Sequence, residues 1–224
     1  MPSIGHDPSQ ATGQALSRQS LRHRSTPLTT PFASLGKTPE GSVHKGLMAL
    51  AARPAYGVTL ALAGTITHSW HVRGVRYLPL FGLDAETTYR LLSSHFPGIG
   101  RMMGVAWGEL RLPRVFQEAY ALTDLVDMLD QHRTVVDEDS TWLAHAVATS
   151  CLGEEALWRD MNLPSATVLH DLLHDFFTIL AARNRSDMAW KDFFLQELTQ
   201  RAERRMLRLS ASPAAPDYAS CFGR

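Results

Sequence analysis

With 224 residues and 45% hydrophobic content, the chain can bury a sizeable core in one large domain or two small ones. Its 22 basic and 22 acidic side chains cancel, which argues against a general electrostatic attraction to nucleic acid or to an anionic membrane. Cys151 and Cys221 are too few for a disulfide framework and suit a reducing compartment, with a single disulfide left open. No apolar run reaches the roughly 18–20 residues that span a bilayer. The N-terminus lacks the apolar stretch of a secretory signal, so a cytoplasmic location is expected.

Residues 1–40 are rich in Ser, Thr, Pro, Gln, Gly and Arg and poor in large apolar side chains. Such a segment buries too little surface to offset its ordering entropy, and a disordered arm is predicted. Arg18, Arg22 and Arg24 give it a transit-peptide flavour, but no helical apolar stripe accompanies them and a solvated tail is the preferred reading. Val43, Leu47, Leu50 and Ala51 then recur at helical spacing until Arg53-Pro54 stops them. Val58 to Trp70 mixes β-branched residues with Ala and Leu; a second helix is preferred, with a small hairpin in 56–80 as the alternative. Residues 74–82 read as loop. Asp84 caps a helix that reaches His95-Phe96 and is stopped by Pro97-Gly98.

The glycine-rich stretch 98–113 is predicted as a hinge between halves, followed by one long helix from Arg114 to His132. The turn Asp137–Ser140 opens a helix rich in small residues through Leu152, and 154–161 gives a short helical run. Ser165 caps a helix predicted to reach Ala182, and a last helix runs from Asp187 to about Arg208, losing its apolar stripe at Arg201, Arg204 and Arg205. Gly82–Phe96 and Asn162–Phe177 echo each other: a loop leucine, a cap, a Leu-Leu pair and a closing phenylalanine. The sum is an all-α, bundle-like domain at 41–205 with a short C-terminal tail, 206–224. Pro213 and Pro216 make 209–220 irregular, with Tyr218, Cys221 and Phe222 as its anchors.

The candidate chemistry is sparse. His170 and His174 share one face of a helix, a spacing that can hold a metal, but Asp171, Asp175 and Thr178 accompany them on its polar side and a solvated face is preferred. His145 and Cys151 lie on one helix at a spacing that does not put them on one face, and Cys151 reads as a small buried apolar side chain. Trp190, Phe193 and Phe194 read as core packing that also clamps the tail to the body. No nucleophile elbow, phosphate-binding loop or zinc-ribbon pattern occurs, and no enzyme is expected.

Trp142 to Gly153, Leu157 to Pro164, Leu180 to Asn184, Asp187 to Phe194 and Asp217 to Gly223 together resemble the NifQ family of bacterial nitrogen-fixation proteins. The resemblance implies a non-catalytic role in building the iron–molybdenum cofactor of nitrogenase. It implies molybdenum carried on an iron–sulfur cluster and donated to assembly proteins as partners. The family's ligand motif is a C-terminal Cys-x4-Cys-x2-Cys-x5-Cys, and soft thiolates closely spaced on a short segment suit such a cluster. Counted back from Cys221, the other positions hold Leu207, Ser212 and Ala215. Cys221 is the one metal ligand the resemblance carries over, with His145 and Cys151 as reserves. The alternative is a degenerate paralogue, an interaction module without metal.

Overall fold

The computed structural model describes residues 40–104 and 107–210. Residues 1–39 of the predicted arm, and Ser212, Ala215, Tyr218, Cys221 and Phe222 in the tail, lie outside the described residues, while Glu40 already belongs to the first helix. Within them the chain is all-α. Eleven helices are described: α1 Glu40–Ala49, α2 Gly57–Arg73, α3 Ala85–His95, α4 Ile99–Met103, α5 Arg114–Glu118, α6 Tyr120–Gln131, α7 Glu138–Ser150, α8 Leu157–Asp160, α9 Ala166–Phe176, α10 Thr178–Ala181 and α11 Trp190–Ser210.

Helix α2 is the hub. Its residues from Val58 to Thr67 are buried almost without interruption, and α1, α7, α8 and α9 pack around it. A helix buried on every side has no polar face, so its sequence shows no amphipathic period. That is why 58–70 read ambiguously, and it disposes of the hairpin alternative. Gly64 lets the backbone at the C-terminal end of α8 come close: a Cβ there would sit 1.9 Å from the Met161 carbonyl oxygen.

The caps predicted at Asp84 and Ser165 hold, and the turn predicted at 137–140 proves to be a cap as well. Asp84 accepts a hydrogen bond from the Thr87 amide at 2.7 Å, Ser165 accepts from Val168, and Asp137 forms a reciprocal capping box with Ser140. The two echoing segments also repeat in conformation. Gly82 (φ 76°) and Asn162 (φ 49°) are both left-handed at the start. Phe96 and Phe177 both leave the helical basin at the end and are buried, each donating its amide to the carbonyl four residues back.

Four expectations are corrected. The helix predicted over Arg114–His132 breaks at Ala119 (φ −92°, ψ 56°). The break lets Phe116 bury edge-on against Phe81, ring centroids 5.6 Å apart, while α6 turns toward α7. The helix predicted to reach Ala182 breaks at Phe177, where the backbone of Thr134 donates to the Phe176 carbonyl and the Thr134 hydroxyl accepts from the Thr178 amide. The stretch 98–113 is no hinge between halves. The Arg111 backbone pairs with Arg76 and Leu78, and one apolar cluster runs from Val43 to Phe194. Finally, α11 starts at Trp190 and continues to Ser210, two residues into the segment predicted irregular, because Pro213 disfavours helix only at its own predecessor.

Candidate functional site

Gly153, Asp160, Asn184 and Lys191, one from each of the motif segments 142–153, 157–164, 180–184 and 187–194, come together around the N-terminal end of α11. Asp160, at the end of α8, is buried, and Lys191 in the first turn of α11 reaches it; the same ammonium donates to the Gly153 carbonyl at 2.7 Å. Gly153 has no room for a side chain, since a Cβ would lie 2.3 Å from the Asp160 carboxyl carbon. Asn184 closes the neighbouring loop. Its side-chain amide donates to the Met188 carbonyl at 2.8 Å, and its oxygen accepts from the Met188 amide at 3.0 Å. Asp187 takes φ 47° inside that loop and so sets where α11 begins. These two devices form the walls of an open groove of about 700 Å³, lined among others by Trp158, His170, Met188 and Trp190. Apolar and aromatic side chains line the groove together with the acidic residues Glu154, Glu155, Asp187 and Asp192.

His170 and His174 do share a face of α9, ring centroids 4.3 Å apart, and His170 lies 6.0 Å from the Trp190 ring. His170 is thus part of the groove wall as well as of the exposed face. Among the described residues no group of three or more His, Cys, Asp or Glu is placed to hold a metal ion. Trp190, Phe193 and Phe194 form one aromatic cluster with centroids 5.7–5.9 Å apart, and both phenylalanines are buried.

Cys151 and His145 are engaged separately. Burial pushes the Cys151 thiol up to about 12, the nearby Lys191 offsetting this only in part. A thiol so placed carries almost no thiolate at neutral pH. His145 Nδ1 donates to the Phe81 carbonyl at 2.7 Å, and its ring fits under Gly82. Thr149 completes that seam, accepting from the Phe81 amide and donating to the His145 carbonyl.

One constellation escaped the sequence reading. His95 is buried between Thr59 on α2, 2.9 Å from Nδ1, and Asp139 on α7, 3.1 Å from Nε2; Arg53 pairs with the other Asp139 oxygen. The order hydroxyl, imidazole, carboxylate has the connectivity of a catalytic triad. Thr59 and His95 are nevertheless closed to solvent at 0% and 1% exposure, so no substrate reaches the hydroxyl and the network ties three helices together. Burial tends to raise the Asp139 carboxyl, but hydrogen bonds from Arg53 and Tyr56 outweigh it and hold it below the usual range. The hint in the sequence is slight: a threonine within an apolar helix, and a histidine as the last residue before a buried Phe96.

Burial lowers the pKa of His95, with Asp139 opposing, and lowers that of His145, with the Phe81 carbonyl opposing. In the unfolded chain both return to about 6.5. The unfolded state therefore binds more protons on acidification, so this stability is complete above that value and is lost as pH falls toward the depressed folded values. The unfolding free energy in urea is expected to drop between about pH 7.5 and about pH 5.5, with a smaller drop in His145→Gln. A stability that rises on acidification through this window would contradict the assignment.

Of the ligand positions named from the sequence, only Leu207 is described. It lies within α11, 69% exposed, and its hydrocarbon side chain cannot ligate a metal. No helix among the described residues is long and apolar enough to cross a membrane.

The fold is an all-helical domain with a groove at the start of α11, where its motif segments meet. The family model for NifQ matches residues 61–223, and the chain belongs to the NifQ family. It is 32% identical to Protein NifQ of Azotobacter vinelandii over 158 residues, covering 67% of this chain and 81% of the relative. It is 32% identical to Protein NifQ of Rhodobacter capsulatus over 123 residues, covering 53% of this chain and 66% of the relative. A NifQ homolog of Sinorhizobium fredii is 30% identical over 96 residues, 43% of this chain and 42% of the relative. No solved structure matches.

Proposed function

We propose that this chain serves nitrogen fixation as a non-catalytic member of the molybdenum supply to iron–molybdenum cofactor assembly. The observation that supports this reading is the family match, which extends to residue 223 and so takes in Cys221. The metal is cargo in this role. Four thiolates would hold an iron–sulfur cluster. This chain offers Cys221 from the motif, with Leu207, Ser212 and Ala215 at the other positions. These residues do not fit a cluster held by this chain alone, and any cargo needs ligands from a partner among the assembly proteins. The groove between α8, α9 and the start of α11 is a surface such a partner would use.

A second reading follows from Leu207 lying in helix α11 where the family motif places a ligand: an interaction module without metal. One experiment separates the two. The protein is isolated anaerobically from nitrogen-fixing cells together with its bound proteins, and iron, sulfide and molybdenum are measured. Molybdenum that disappears in Cys221→Ser is the expected result. Cofactor assembly proteins without metal would refute the carrier role and leave the interaction module. Neither metal nor assembly proteins would refute both.

A further inference from the structure

We propose that the cleft between α6 and the C-terminal half of α11 is a binding site for a small tetrahedral oxyanion carrying two negative charges. Five arginines line it with His132: Arg183 from the turn after α10, and Arg201, Arg204, Arg205 and Arg208 from α11. The four on α11 recur at i, i+3, i+4 and i+7, one helix face, so like charges stand side by side where each opposes its neighbours. The helix dipole favours cations only in the last turn, which accounts for Arg208 and not for Arg201 or Arg204.

Neutralisation is incomplete. Arg183 pairs with Glu197 and Arg205 with Asp124. Arg201 donates instead to the neutral Gln131 amide at 2.7 Å, and Arg204 Nε donates to the Gln200 carbonyl. Among the described residues, Arg201, Arg204 and Arg208 have no carboxylate partner. Three uncompensated guanidinium groups around one concavity are a demand for negative charge.

Shape narrows the ligand. The cleft holds about 310 Å³, the low end of ligand sites. Guanidinium forks give paired donors that match the oxygens of a tetrahedral anion, where a lysine would give a point charge. His132, also in the lining, is held by its Nδ1 donating to the Met128 carbonyl at 2.7 Å, so the donors available to an anion are those of the arginines. The inference concerns charge and shape and does not depend on molybdenum passing through the chain.

The test is calorimetric titration of the isolated protein at low ionic strength with molybdate, sulfate, phosphate, nitrate and polyglutamate. Expected is saturable one-to-one binding of the dianions, at least tenfold tighter than nitrate. Affinity should fall at least tenfold in the Arg204→Ala/Arg208→Ala double variant and by less in Arg204→Lys. The melting temperature should be unchanged, both arginines being exposed. Arg159→Ala, at an exposed arginine on α8 that pairs with Glu155 and does not line the cleft, should bind as the parent does. The proposal is overturned by no saturable binding of any small dianion, by equal binding in the double variant, or by binding of polyglutamate alone.

Discussion

Gly64→Ala is expected to destabilise the domain by about 2–4 kcal/mol, near the upper end of what overpacking costs and against the usual sign for a helical glycine. In a helix interior, alanine is favoured over glycine by roughly 0.5–1 kcal/mol, because it loses less backbone freedom on folding. At this position the added methyl would lie 1.9 Å from the Met161 carbonyl oxygen and 2.8 Å from its carbon. Those atoms are backbone and cannot rotate away as a side chain can. Helix α8 would have to retreat from α2, opening the buried contacts of Leu157, Met161 and Leu163. Gly41→Ala is the control: Gly41 is helical, and a Cβ there meets nothing within 4 Å. Urea unfolding of both variants should move in opposite directions, Gly41→Ala neutral or stabilised by up to about 1 kcal/mol. If Gly64→Ala proves as stable as Gly41→Ala, the close approach of α2 and α8 is not a constraint of the fold.

The same pair of helices shows where the sequence could be read and where it could not. Signals local to a few residues were legible. Asp84, Asp137 and Ser165 are caps because a side-chain oxygen reaches an amide three positions on. The Leu-Leu pairs of α3 and α9 are buried because they fall on the apolar half of each helix. What failed was everything decided by a distant partner. The break at Phe177 is held by Thr134, and the break at Ala119 by the seating of Phe116 on Phe81; both look like uninterrupted helix to a periodicity count. The candidate site divides in the same way. His170 and Trp190 stand out in the sequence as parts of a pattern, but the groove they border depends on Asn184, Asp160 and Lys191. Asp160 and Lys191 are 31 residues apart, and Thr59 and His95 36 apart. In the sequence the arginines of α11 show only as the loss of an apolar stripe. Only their place against α6 and Arg183 makes them a cleft.

Lys191→Met is expected to cost about 3 kcal/mol, and this prediction bears most directly on the groove. Asp160 is 3% exposed and its carboxylate faces the Lys191 ammonium, itself 22% exposed. Removing one partner of a buried pair costs about 3–5 kcal/mol, because the remaining charge stays desolvated without compensation. The partial exposure of Lys191 lets water reach the site and draws the expected value toward the lower limit. Removing both charges should restore much of the loss, since the pair itself contributes little net stability once its desolvation is counted. Asp160→Asn/Lys191→Met is therefore expected to be more stable than Lys191→Met alone. A double-mutant cycle should return a coupling of about 2 kcal/mol, near the top of the range for groups in contact. The ammonium also holds the Gly153 carbonyl, so its loss frees the chain between α7 and α8 from the start of α11. Hydrogen exchange should quicken at 151–156 and 189–193 in Lys191→Met, while the seam of His145, Phe81 and Thr149 keeps its protection. Equal stability of Lys191→Met and the parent would mean that water replaces the ammonium at no cost. The groove wall would then rest on the Asn184 loop and the aromatic cluster alone.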